Sequence, residues 1–157
     1  MIVLGIDPAL IKTGWGVVTE LGGNLSFVAC GMILVDPKLP ISLRLKNIFN
    51  EVDGVIKRYN PDHLSIEETF VNMNPASSLK LGEARGAAIL CGSMNNLPVF
   101  EYKPNSIKKS VTGAGKATKE QVGLMVKRLL PLSNAKTEDE ADALAAAICH
   151  INSFRAW

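Results

Sequence analysis

The sequence predicts an α/β domain built on a mixed β-sheet, and two observations carry that prediction. Three apolar, β-branched segments come first, joined by short turns. Helical and extended segments then alternate through the second half. Short turns make antiparallel neighbours, whereas a strand–helix–strand connection returns the chain to the same end of the sheet and makes parallel ones.

The elements follow in order. IVLGID (residues 2–7) is a short apolar run closed by Pro8, which cannot continue a central strand. TGWGVVTE (13–20) and LSFVACGMILV (25–35) are rich in β-branched and aromatic residues, and LGGN between them is a turn signal. From about Ile41 to Tyr59, Leu43, Ile48, Val52, Val55 and Ile56 recur near the helical period, and Pro61 closes that helix. HLSIEE (63–68) is a fourth strand that ends in Glu67 and Glu68. ASSLKLGEARGAAILCGSMNN (76–96) is a second long helix. Its small residues Gly82, Ala84, Gly86, Ala87, Ala88 and Gly92 suit close packing, either in the core or between two chains. PVFEY (98–102) is a fifth strand; two short helices flank the GAGKA loop, and TEDEADALAAAICH (137–150) opens the last helix.

Composition narrows the function classes. A chain of 157 residues with 47% apolar content suits one folded domain, 1–157, and argues against disorder. No apolar run approaches the ~20 residues of a membrane span, and MIVLGID lacks the basic flank of a signal peptide. Cys30, Cys91 and Cys149 are odd in number and far apart, which favours reduced thiols in a cytoplasmic protein. The net charge of +2 hides an asymmetry. Between Tyr102 and Leu130 stand Lys103, Lys108, Lys109, Lys116, Lys119, Lys127 and Arg128 against the single acid Glu120. So lopsided a segment points to a polyanionic partner.

The acids at the head of the last helix have two readings. Thr137 and Glu140 fit a capping box, and acids in a first turn favour the helix dipole. Asp142 lies beyond that turn, and Asp139 and Asp142 project from neighbouring positions where like charges repel unless a cation separates them. Asp7 and Glu67 end strands, where α/β sheets bind ligands, so Asp7, Glu67, Asp139 and Asp142 can converge on one site. Hard divalent cations prefer such oxygens, and two ions about 4 Å apart can serve phosphoryl transfer.

Other motifs do not hold. GAGKAT is no P-loop, because Ser110 and Ala117 stand where that motif needs Gly and Ser or Thr. An actin-like phosphate loop needs two such domains around its nucleotide. His63 and His150 look isolated, and His150 reads as a helix-end residue facing the last carbonyls.

GIDPALIKTGWGVV, SIEETF, SLKLGEARGAA, PVFEY, GAGKATKEQV and EDEADALAAAICH together resemble the RuvC-type Holliday junction resolvases of bacteria, in the family's order and over nearly the whole chain. The resemblance implies a ribonuclease-H-like fold, with a mixed five-stranded sheet flanked by helices on both faces, and a homodimer. It also implies Mg²⁺-dependent paired nicking of four-way junction DNA, with two Mg²⁺ per site and Mn²⁺ able to substitute, alongside a RuvA–RuvB branch-migration complex. Asp7, Glu67, Asp139 and Asp142 match the family's catalytic, metal-binding acids. Phe70 matches a DNA-contacting aromatic, and Lys108 and Lys119 match basic residues near the phosphates; Lys116 joins them as a candidate DNA contact. Ala9 departs from the usual GIDPG, which matters only if that position is left-handed. A longer C-terminal tail is expected to be absent. Two rivals remain at this level: a junction-binding protein without catalysis, and a nuclease of the same fold acting on RNA or hybrid duplexes.

Overall fold

A computed structural model describes residues 1–68 and 74–155. The elements run β1 (Ile2–Asp7), β2 (Lys12–Leu21), β3 (Asn24–Leu34), α1 (Ile41–Tyr59), β4 (His63–Glu67), α2 (Pro75–Met94), β5 (Val99–Tyr102), α3 (Pro104–Thr112), α4 (Lys119–Leu129) and α5 (Glu138–Arg155). The sheet order is β3-β2-β1-β4-β5. Strands β1, β2 and β3 are antiparallel neighbours, and β4 lies parallel to both β1 and β5. The β2–β3 hairpin turns at Gly22 and Gly23, whose φ values of 58° and 91° are cheap only for glycine. Helix α1 ends at Tyr59, and its cap Asn60, directly before Pro61, is left-handed. Within it Ile48, Val52 and Ile56 are buried one turn apart, but Leu43 is exposed. Five residues before Ile48, Leu43 lies about 140° around the axis and misses the sheet.

Strand alternation sorts the side chains into two cores. Leu4, Ile6, Val17, Leu64 and Ile66 face α1 and α2, where they pack with Ile48, Val52, Ala84 and Ala88. Val3 and Val18 face the other way, toward α3, α4 and the alanine-rich α5. Successive strand residues alternate faces, so Gly5 and Asp7 share the α5 side with Val3.

Helix α5 lies directly on the sheet because glycine leaves room for it. A Cβ on Gly5 would overlap the carbonyl oxygen of Ala143 and one on Gly14 the carbonyl oxygen of Asp139, both backbone atoms that cannot swing away. Gly5→Ala is therefore expected to lower stability by ~1–3 kcal/mol, read as a fall of roughly 3–10 °C in melting temperature.

Candidate active site

The parallel register of β1 and β4 pairs Ile6 with Ile66, so the next residues, Asp7 and Glu67, emerge side by side at the strand ends. Helix α5 then crosses that end of the sheet with its N-terminal turns. Its start is fixed by the expected capping box: Glu140 N–H donates to Thr137 Oγ1 (3.2 Å), and Thr137 N–H donates to Glu140 Oε2 (2.9 Å). Lys136 N–H donates to the same carboxylate oxygen (2.7 Å). Glu140 is thus a buried structural acid, which leaves Asp139 and Asp142 facing the strand ends.

Asp7, Glu67 and Asp142 line one cavity of about 190 Å³ together with Pro104, Ile107, Lys108, Lys119 and Val122. Asp139 lines a neighbouring cleft of about 570 Å³, beside Ala9, Lys12, Arg44 and Lys80, so it stands on the rim between the two. Among the described residues no three His, Cys, Asp or Glu side chains already converge as a metal-ligand set.

The electrostatics nevertheless mark an uncompensated negative site. Burial, then Glu67, Asp142 and Asp139, push the Asp7 carboxyl up to about 8. Burial and then Asp142 push Glu67 up to about 7, with Lys108 and Lys119 pulling against them. Asp142 is also raised, by burial and by Asp139 and Glu138, against the opposing pull of Lys119. Lys119 sits 3.7 Å from Asp142 and 3.4 Å from Glu138. Its partial burial pulls its pKa down, but Asp142 and Glu138 more than offset this and hold it above the ordinary lysine value.

The basic residues divide by place. Lys119 opens α4 behind the N-cap Thr118, whose capping box with Gln121 is readable as T-x-x-Q in the sequence. Buried Ile107, Val111, Val122 and Val126 anchor α3 and α4 on α5, and this turns Lys108 and Lys119 toward the acids. Lys116 is exposed on the α3–α4 loop and does not line the acidic cavity. Phe70 lies outside the described residues. Ala9 is free of strain: it has no positive φ, and its N–H donates to Thr13 Oγ1 (3.1 Å), which in turn donates to its carbonyl (2.6 Å). The position asks nothing that only glycine can supply.

His150 and His63 correct the sequence reading. They are not isolated, and His150 does not face the last carbonyls of α5. His150 is fully buried, with Nε2 at 2.8 Å from His63 Nδ1 and Nδ1 at 2.8 Å from Tyr102 Oη. Partners 87 and 48 residues apart leave no local signal. Burial, then His63, press His150 down to about 4, so it is neutral at physiological pH.

Fold and site together define an α/β protein of the ribonuclease-H-like class with acids gathered at its strand ends. A family model described as Crossover junction endodeoxyribonuclease RuvC matches residues 3–150. The protein of that description from Xanthobacter autotrophicus is 51% identical over 148 residues, covering 94% of this chain and 88% of the relative. Its counterpart from Paramagnetospirillum magneticum is 50% identical over 150 residues, covering 96% and 90%. The structure of T. thermophilus RuvC in complex with Holliday junction substrate superposes with a TM-score of 0.93 at 32% identity, covering 99% of this chain and 96% of that one. A yeast mitochondrial Holliday junction resolvase, at 12% identity and a TM-score of 0.67, shares the fold. The chain belongs to the RuvC family of crossover junction endodeoxyribonucleases.

Proposed function

We propose that this chain, as one domain spanning residues 1–157, resolves four-way DNA junctions in recombination and repair by paired, metal-dependent nicks. The observation that carries the reading is the meeting of Asp7, Glu67 and Asp142 with Lys108 and Lys119 around one cavity, in a chain of the RuvC family. Uncompensated carboxylates at this density disfavour one another's ionisation, and oxygen donors of this kind fit Mg²⁺, with Mn²⁺ as a substitute. Asp7, Glu67 and Asp142 would hold the ions, with Asp139 reaching in from the rim. Bound there, divalent cations supply charge stabilisation for the attacking and leaving oxygens of an in-line displacement.

The chain's own residues do the rest. The reaction is hydrolysis: water adds to phosphorus, the P–O3′ bond breaks, and the 3′ oxygen departs with a proton, leaving 5′-phosphate and 3′-hydroxyl ends. Lys108 and Lys119, on the cavity wall opposite the strand ends, hold the phosphates. Exposed Lys103, Lys109, Lys116, Lys127 and Arg128 extend the positive surface along the neighbouring duplex. Phe70 is assigned to base contact by its motif alone.

A junction has two equivalent strands to cut and one chain has one acidic site, so a two-fold dimer matches substrate to enzyme. Helix α2 supports that reading. Leu79, Gly82, Gly86, Leu90 and Met94 recur at helical spacing, and Leu79, Leu90 and Met94 are exposed. A Cβ on Gly82 or Gly86 would meet no atom within 4 Å. A RuvA–RuvB complex is the expected partner, and the cytoplasm the expected location; among the described residues no helix is long and apolar enough to cross a membrane.

The deciding experiment incubates the protein with a labelled synthetic four-way junction and a matched linear duplex, with Mg²⁺ and with EDTA. Paired, ligatable nicks in the junction alone, lost in EDTA, are expected. Tight junction binding without nicks in Mg²⁺ overturns the catalytic reading in favour of a binding protein, and cutting of RNA or hybrid duplexes overturns the substrate.

A further inference from the structure

Strand β4 and helix α5 meet through an evenly spaced ladder. On β4, His63, Ser65 and Glu67 alternate onto the α5 side. On α5, Asp142, Ala146 and His150 are four residues apart and share one face. The rungs are His63 with His150 (2.8 Å), Ser65 Oγ donating to the Ala146 carbonyl (2.8 Å), and Glu67 beside Asp142 on the acidic cavity. Two strand residues advance about 6.6 Å, and four helix residues about 6.0 Å. The two elements therefore keep step over three rungs, running in opposite directions.

His150 ties this ladder to a third element. Its other nitrogen meets Tyr102 Oη, and Tyr102 is paired in register with Glu67 and accepts the Glu68 N–H through its carbonyl (2.9 Å). The same histidine is thus bonded to β4 at one ring nitrogen and to β5 at the other. Phe100 and Phe154 hold its ring, with centroids 4.4 and 5.5 Å away. Its partners lie on two different strands, so both bonds form only with Nε2 turned to His63 and Nδ1 to Tyr102. A neutral imidazole meets them with one donor and one acceptor nitrogen in either tautomer.

We propose that His150 is a positioning residue for the reaction, and with it Tyr102 and His63. By fixing where α5 sits along β4, it fixes the placement of Asp142 relative to Glu67 from two helical turns away. This rests on the metal-binding reading of those acids. A shift of one ångström at a reacting centre can cost on the order of a hundredfold in rate, so a lost anchor here is felt at the site.

The test compares wild type with His150→Phe, which keeps ring volume and loses both bonds, and with Tyr102→Phe, which loses one hydroxyl. Three quantities are read: junction affinity in EDTA, single-turnover cleavage against Mg²⁺ concentration, and the rise in melting temperature that Mg²⁺ produces. Both variants are expected to bind the junction within about twofold of wild type. Cleavage is expected to fall ten- to a hundredfold for His150→Phe, to fall less for Tyr102→Phe, and to need several-fold more Mg²⁺ in both. Weaker metal binding also shrinks the Mg²⁺-induced rise, whereas a merely structural role would lower the melting temperature and leave that rise intact. A wild-type Mg²⁺ requirement and a full Mg²⁺-induced rise in both variants overturn this inference alone. Absence of any rise or cleavage in wild type overturns the metal reading and this inference with it. Should His150→Phe fail to fold, Tyr102→Phe decides by the same measurements.

Discussion

Asp7→Asn is expected to abolish junction cleavage while making the metal-free protein more stable. The carboxylate is the central acid of the site: Glu67, Asp142 and Asp139 all act on it. Amide replaces one charged oxygen donor by a neutral group, and loss of several kcal/mol of transition-state stabilisation corresponds to a rate fall on the order of a thousandfold or more. Junction affinity in EDTA is expected to stay unchanged or to improve, since the substitution removes a negative charge beside the phosphates. The stability effect has the opposite sign to the activity effect. With its pKa raised from 3.8 to about 8, Asp7 binds its proton more tightly in the folded chain than in the unfolded one. Stability from that proton is complete below pH 3.8 and is lost as pH climbs through about 8. Asparagine has no such loss, so its advantage in melting temperature should grow from pH 5 to about pH 8.5. Retained cleavage would remove Asp7 from the chemistry, and a lower melting temperature at pH 8 would show that its burial is tolerated.

Stabilisation by Mg²⁺ is expected to depend steeply on pH, in the window that the same acids define. Asp7 at about 8 and Glu67 at about 7 are largely protonated at pH 6, so a cation must displace protons to bind there. At pH 8.5 those protons have mostly gone and the repulsion among the carboxylates is at its greatest. The Mg²⁺-induced rise in melting temperature should therefore be small near pH 6 and large near pH 8.5, with cleavage increasing over the same range. In EDTA the order reverses: melting temperature declines as pH rises through about 7 and 8. On the acid side His150 acts in the other sense. Its pKa is lowered from 6.5 to about 4, so the stability of its buried neutral ring is present above 6.5 and is lost as pH falls through about 4. Between about pH 4.5 and 6.5 the losses from Asp7 and Glu67 outweigh the gain from His150. Melting in EDTA should thus be best at roughly pH 4–4.5 and decline steadily toward about pH 8.5. An Mg²⁺ increment independent of pH would mean that the ion binds elsewhere.

Much of this molecule is legible in its sequence, because the signals concerned are local. The LGGN hairpin, the Ile48–Val52–Ile56 stripe and the Thr137–Glu140 box depend on residues within a turn or two of one another. Backbone sterics and periodic burial settle them before distant parts meet. The ends of β1 and β4 were legible too, since an acid that closes an apolar run has nowhere to go but the sheet's edge. Tertiary structure alone decided three things. It set α5 on the sheet through Gly5 and Gly14, whose missing Cβ atoms matter only because a helix 138 residues from Gly5 covers them. It divided the acids, placing Asp142 with Asp7 and Glu67 and leaving Asp139 on the rim of a second cleft. It joined His150 to His63 and Tyr102, three polar side chains that separately looked ordinary. The reason is common to all three: a hydrogen bond or a steric contact between distant residues leaves no periodicity in the chain, and exists only once the packed layers have chosen their register.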